Sequence, residues 1–280
     1  MMKITKISYK GWENCVSISN DKVDVVVTTD VGPRIIRYGF VGEKNQFFEV
    51  PEHLGKVGEK EFRLYGGHRL WHSPEDINRT YVPDNDAVKW YEEEGFVVFE
   101  QEKEEFVNVQ KIIKIRLDEK SSRVELKHFI KNVGAWPIRF APWSITMMSP
   151  SGRGIMPMCD EDTGLVPNRT ISLWSYTDLE DSRLSFKGGK ISLDCDTSKK
   201  SPIKIGANIT SGVAKYENQD VIFTKEFGYE KNVHYPDKGV NCEMYANDRY
   251  LELEALGKLQ EVKVNDYALL EESWKLEKVM

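Results

Sequence analysis

Alternation of apolar and polar positions is the dominant pattern along the chain. In RVELKHFIKN (123–132), Val124, Leu126 and His128 fall on one face and charged residues on the other, the period-two signature of a half-buried strand. VDVVVTTD (23–30), GFVVFEQ (95–101), FVNVQKIIKIRL (106–117), DVIFTKEFGY (220–229) and YLELEALGKLQEVKVND (250–266) show the same enrichment in β-branched and aromatic residues. Between them VGPR, DEKSS, KNVGAWP, SPSGRG and FKGGK supply turn chemistry. No stretch of ten or more residues carries a helical stripe, and short helical turns are predicted only around SPEDINR and EHLGKVGEKEF. With no break in composition, the pattern predicts an all-β chain: one large antiparallel two-sheet sandwich spanning 1–280.

Charge and cysteine usage narrow the partners. The formal net charge of −6 comes from interspersed acids and bases, without the basic stripe that neutralises phosphates, so neither nucleic acid nor an anionic membrane is an expected partner. The N-terminal MMKITKISYKGWENC lacks the apolar core of a signal peptide, and no apolar run reaches the roughly 18 residues that span a bilayer. A cytoplasmic setting is expected. Cys15, Cys159, Cys195 and Cys242 form no C-x-x-C pair and read as reduced, buried thiols. Neither a metal nor a cofactor is called for.

Aromatic residues are abundant, with 12 Tyr, 12 Phe and 7 Trp. Broad sheets bury such rings well, but a pyranose also packs its apolar C–H face on an aromatic ring. The segment LYGGHRLWHSPED (64–76) makes that second use attractive. Gly66 and Gly67 permit positive φ or close backbone approach, which sets a sharp turn at a strand end. His68, Arg69, Trp71 and His72 follow, too polar to be buried together without partners. Arg69 offers a planar fork of donors, and His68 and His72 titrate near neutrality. Spacing of the two histidines as H-x-x-x-H suits a metal only on a helix, and Pro74 with the glycines argues against one. Asp84 and Asn85, in the turn after Tyr81, are placed at the same cleft, as is His234 ahead of a Tyr-Pro-Asp turn. His53 and His128 are left outside the site.

Near the C-terminus, VNCEMY puts Glu243 and Tyr245 opposite Cys242 and Met244, and YLELEAL puts Tyr250, Glu252 and Glu254 opposite Leu251 and Leu253. G-V-N-C-E (239–243), with a later aromatic-rich strand, resembles the C-terminal region of galactose mutarotases (aldose 1-epimerases). YGGHRLW is similar to that family's Gly-Gly loop, and KNVGAWPIRFAPWSI (131–145) resembles its turn into a central strand. GGHRLWHSPE, YVPDN, FAPWSITMM and LVPNRTISLWSYTD together look like a bacterial branch of the group.

The resemblance implies the mutarotase-like supersandwich, a monosaccharide or sugar derivative as ligand, and Glu243 as catalytic base. Tyr65 stands where the family has a histidine before the Gly-Gly, and Trp143, Ser144 or Thr146 where it has its usual acid. His68 or His72 is then the expected acid. Arg69 or Arg34 would hold a hydroxyl or carboxylate, Trp71 and Trp143 would stack on the ring, and Glu254 would bind substrate. A non-catalytic carbohydrate-binding protein or sensor fits the same residues, as does a uronic-acid isomerase or lyase that clamps its substrate with Arg69 and Arg34.

Overall fold

The computed structural model describes residues 2–279, and its regular secondary structure is strand apart from one 3-10 turn. They form two antiparallel sheets. The larger runs, in spatial order, Lys3–Tyr9, Trp12–Ser19, Val23–Thr28, Ile35–Phe40, His68–Ser73, Ile138–Met148, Leu251–Leu256, Cys242–Ala246, Ile203–Ala207 and Ile171–Leu173, with Gln260–Val262 paired beside Ile138–Met148. The smaller runs Leu184–Lys187, Lys190–Asp194, Arg153–Pro157, Val213–Asn218, Val221–Phe227, Tyr267–Lys278, Val124–Asn132, Val109–Leu117, Phe96–Glu100 and Lys89–Glu93.

Alternation explains how the sheets pack. In Val124–Asn132 every second residue is buried, so Val124, Leu126, His128 and Ile130 enter the layer between the sheets. Leu251, Leu253, Cys242 and Met244 meet them from the opposite sheet as core residues. Tyr38, Phe47, Phe223 and Trp274 pack there in edge-to-face and tilted pairs, with ring centroids 5.4–6.2 Å apart. All four cysteines are free and buried.

Three sequence expectations need correction. The segment 68–73, read as a loop at a strand end, is a strand in the interior of the larger sheet, and all six of its residues are buried. Burial of both faces removes the hydrophobic alternation that marks a strand. SPEDINR forms no helix: Asp76 accepts from the backbone N–H groups of Asn78 and Arg79, an Asx turn that competes with helical hydrogen bonding. In EHLGKVGEKEF only a 3-10 turn at Pro51–His53 appears.

Gly66 and Gly67 lead into that strand with φ of +108° and +66°. A Cβ would lie 2.3 Å from the Phe48 carbonyl oxygen at the first and 2.2 Å from that of Ile35 at the second. Close backbone approach thus accompanies the positive φ, as the dipeptide implied.

Candidate functional site

Five adjacent strands of the larger sheet build a polar floor on its outer face. Register aligns Lys204, Tyr245 and Glu252 in one row across the strands, and Glu243, Glu254, Ile145 and Arg69 in the next. Trp143 and Trp71 pair in a third row. Above them lies a cleft of about 590 Å3, within the range usual for small-ligand sites. Arg69, Lys204, Glu252 and Tyr245 reach it from the floor, and Trp71, Trp143, Trp174, Phe62, Tyr81 and Tyr250 wall it. An adjoining hollow of about 360 Å3 shares Trp143, Trp174 and Lys204 and adds Asp237 and Asp76.

Lys204 organises the electrostatics. Its Nζ lies 2.8 Å from Glu243 and 2.9 Å from Glu254, with the rings of Trp143 and Trp174 centred 4.7 and 4.8 Å away. Burial works against its charge, but the two glutamates outweigh it and hold the ammonium well above the ordinary lysine value. Glu254 also accepts from the Trp143 indole N–H at 2.7 Å. One ammonium cannot neutralise two carboxylates and the nearby Asp237. Burial, followed by repulsion from Glu254 and Asp237, pushes the Glu243 carboxyl well up despite Lys204. Glu252 is raised as well, by burial first, and receives a hydrogen bond from Arg69 Nη2 at 2.9 Å. Arg69 stacks on Trp71 at 4.2 Å and keeps Nε and Nη1 buried without protein acceptors.

The residues expected from sequence divide sharply. Arg69, Trp71 and Trp143 line the cleft. Glu243 and Glu254 lie beneath it, both 0% exposed, with Lys204 between them and the opening. His68 and His72 point away. On a strand both belong to the face opposite Arg69 and Trp71, and four residues of strand separate them by roughly 13 Å, too far to share a ligand. Burial, with repulsion from His128 next, depresses the His68 pKa strongly; burial takes His72 down to about 3. Neither can serve as an acid at a sugar in the cleft.

Arg34 and Asp84 form a buried bidentate pair behind the wall, one limb at 2.9 Å. Asn85 accepts from the Tyr65 hydroxyl at 2.6 Å and donates to the carbonyls of Glu59 and Glu61, which anchors the segment carrying Phe62 and Leu64. His234 is exposed outside the cleft.

His68 belongs instead to an inter-sheet network. His128 Nδ1 faces the Leu270 carbonyl at 3.1 Å and must carry hydrogen there, so its Nε2 accepts from His68 Nε2 at 2.8 Å. His68 Nδ1 then accepts from Thr146 at 2.9 Å, and Thr146 accepts from Lys225 at 3.2 Å. Lys225 pairs with Glu272 at 3.4 Å, while Ser144 and the Trp274 indole donate to that carboxylate. His68, His128 and Glu272 are close enough to share a metal ion, but hydrogen bonds within the protein occupy each ring nitrogen and both carboxylate oxygens.

Sequence reading missed Lys204, Trp174, Tyr176 and Pro202, and it discarded His53, which lines the rim. Its assignment of Tyr250, Glu252 and Glu254 to one face was correct, and the period-two pattern gave no reason to single out Glu252. Lys204 had a faint signal: in SPIKIGA it is the one charge in an otherwise apolar strand, every residue of which is buried.

No family model matches the sequence, and no curated protein matches it. Solved structures do. The Slr1438 protein from Synechocystis sp. PCC 6803 superposes with a TM-score of 0.61 at 11% identity, covering 98% of this chain and 99% of that one. A galactose mutarotase-like protein from Lactobacillus casei gives 0.58 at 9% identity, covering 94% and 100%. A galactose mutarotase related enzyme from Lactobacillus acidophilus gives 0.52 at 12%, covering 95% and 99%. At such identities the likeness speaks for the fold.

Proposed function

Taking the galactose mutarotase-like fold of the chain as the premise, we propose that the cleft binds a monosaccharide or sugar derivative and exchanges its anomers, an isomerase activity of the aldose 1-epimerase type. A shared scaffold alone would not support this, because one fold hosts many activities. The observation that carries it is an aromatic wall facing a floor of fixed ionic groups. Trp71, Trp143, Trp174 and Tyr81 suit the apolar face of a pyranose. Arg69, with two unpaired N–H groups, Glu252 and Lys204 suit its hydroxyls.

Anomer exchange requires a base at the C1 hydroxyl and an acid at the ring oxygen. A carboxylate raised above its ordinary value is a stronger base, and Glu243 and Glu252 are both raised, by burial first. Each floor cation is already paired, Arg69 with Glu252 and Lys204 with two glutamates, so anionic sugars gain little. The uronic-acid reading loses its second clamp, since Arg34 is bound to Asp84 outside the cleft.

Thermal shift with neutral hexoses, hexose phosphates and uronic acids tests the ligand class, and polarimetry of freshly dissolved α-aldoses tests the reaction. A rise in melting temperature with a neutral hexose, together with accelerated mutarotation, supports the proposal. No rise with any sugar refutes the cleft reading. A second reading, non-catalytic carbohydrate binding or sensing, draws on Lys204 standing between Glu243 and the cleft; binding without accelerated mutarotation would select it.

A further inference from the structure

We infer that the groups meeting the reacting oxygens are Lys204 and Glu252, and that Glu243 and Glu254 act by holding the lysine in place; this rests on the anomer-exchange reading above.

Access is the first argument. Lys204 and Glu252 both line the cleft, whereas Glu243 and Glu254 are fully buried and line neither it nor the adjoining hollow. A substrate arriving from solvent meets the ammonium before it meets either carboxylate behind it. Register is the second. Lys204 and Glu252 flank Tyr245 in one row, two strand spacings apart, which is about 9.5 Å between Cα atoms. A pyranose seated over Tyr245 therefore has an acceptor on one side and a proton donor on the other. The third is the set of partners. Glu243 contacts the lysine, and Glu254 binds the lysine and the Trp143 indole, which is how a charged side chain is fixed in position. Glu252 has a single cation, Arg69, at one oxygen.

The step balances with these two groups. Glu252 as carboxylate takes the proton from the C1 hydroxyl, and that O–H electron pair forms the C1=O1 bond. The C1–O5 bond breaks with its electrons on O5, which receives a proton from the Lys204 ammonium. After rotation about C1–C2, O5 attacks the other carbonyl face and returns its proton to the Lys204 amine, while Glu252 gives its proton back to O1. Nothing is oxidised, and both side chains end as they began. An alkoxide is basic enough to take a proton from an ammonium held well above its ordinary value.

Polarimetric kcat and KM for the wild type, Glu252→Gln, Lys204→Arg, Glu243→Gln and His53→Gln test the assignment, with sugar-induced thermal shift as the check on folding and binding. Gln keeps the shape of Glu252, and Arg keeps the charge of Lys204 but does not release a proton. Glu252→Gln and Lys204→Arg are expected to lower kcat by about 100-fold or more while the thermal shift persists. Glu243→Gln is expected to raise KM and leave kcat within about tenfold, since it loosens the donor without removing it. Near-wild-type kcat in Glu252→Gln or Lys204→Arg overturns the inference, as does loss of kcat in Glu243→Gln or His53→Gln as deep as that expected of Lys204→Arg. In each of those cases wild-type exchange still stands, so the anomer-exchange reading survives. Absence of exchange in the wild type overturns both.

Discussion

The two faces of the strands His68–Ser73, Ile138–Met148 and Leu251–Leu256 both carry polar residues in buried surroundings, but they treat them differently. Inward, His68, Ser144 and Thr146 join His128, Lys225 and Glu272 in a network where each ring nitrogen and both Glu272 oxygens have a protein partner. Outward, Arg69 Nε and Nη1 and Glu254 Oε1 have no hydrogen-bond partner, and Glu243 has only the Lys204 ammonium at one oxygen. Buried polar atoms left open are costly, and of these only the Arg69 donors belong to a residue that lines the cleft, where a ligand or ordered water could satisfy them. Residue type alone does not distinguish the closed network from the open set, and His72 Nδ1, inward but outside that network, is open as well.

The largest effect should come from breaking the closed side. Lys225→Met leaves Glu272 buried without its cation and is expected to cost about 3–5 kcal/mol in urea denaturation. Adding Glu272→Leu removes the stranded charge and should restore most of that loss; failure to restore it would mean the pair has some role beyond mutual neutralisation.

A pH experiment gives an intermediate effect. Burial, as the first cause, pulls the folded pKa of His72 down to about 3 from the ordinary histidine value of 6.5. A depressed value means the unfolded chain binds the proton first. This contribution to stability is therefore complete above about pH 6.5 and lost as the pH falls toward 3. Between pH 7 and pH 5 the wild type should lose about 2 kcal/mol through this residue, a loss absent from His72→Gln. His68 and His128 shift in the same direction and add to the decline. Parallel pH curves for wild type and His72→Gln would sink the assignment.

On the open side stability should hardly move while binding does. Trp174 is only partly buried and stands over Lys204, so Trp174→Ala should weaken a bound sugar by roughly 1 kcal/mol, about fivefold in Kd by calorimetry. Unchanged affinity would place the sugar away from that wall.

How much of this was legible in the sequence depended on where periodicity survives. Strands such as Val124–Asn132, with one buried and one half-exposed face, were readable from alternation alone. His68–Ser73 was not, because loops cover its outer face and both faces became buried. The same ambiguity misdirected the site: histidine, arginine and tryptophan in HRLWHS were read as one cluster, and a strand sends them alternately to opposite sides. Lys204 and Glu252 were passed over because a lone lysine in an apolar strand and a glutamate on an alternating face have solvated surface as their ordinary reading.

By itself the sequence determined the all-β class, the turn positions, the sharp two-glycine turn at 66–67 and the polar outer face of the C-terminal strands, since each follows from local sterics and period-two burial. Only the tertiary structure decided that Lys204, from a strand some fifty residues from Glu254 in sequence, stands over two buried glutamates beneath two tryptophans. Register between distant strands sets those contacts, and register is fixed by the packing of the whole sheet, which no local pattern encodes.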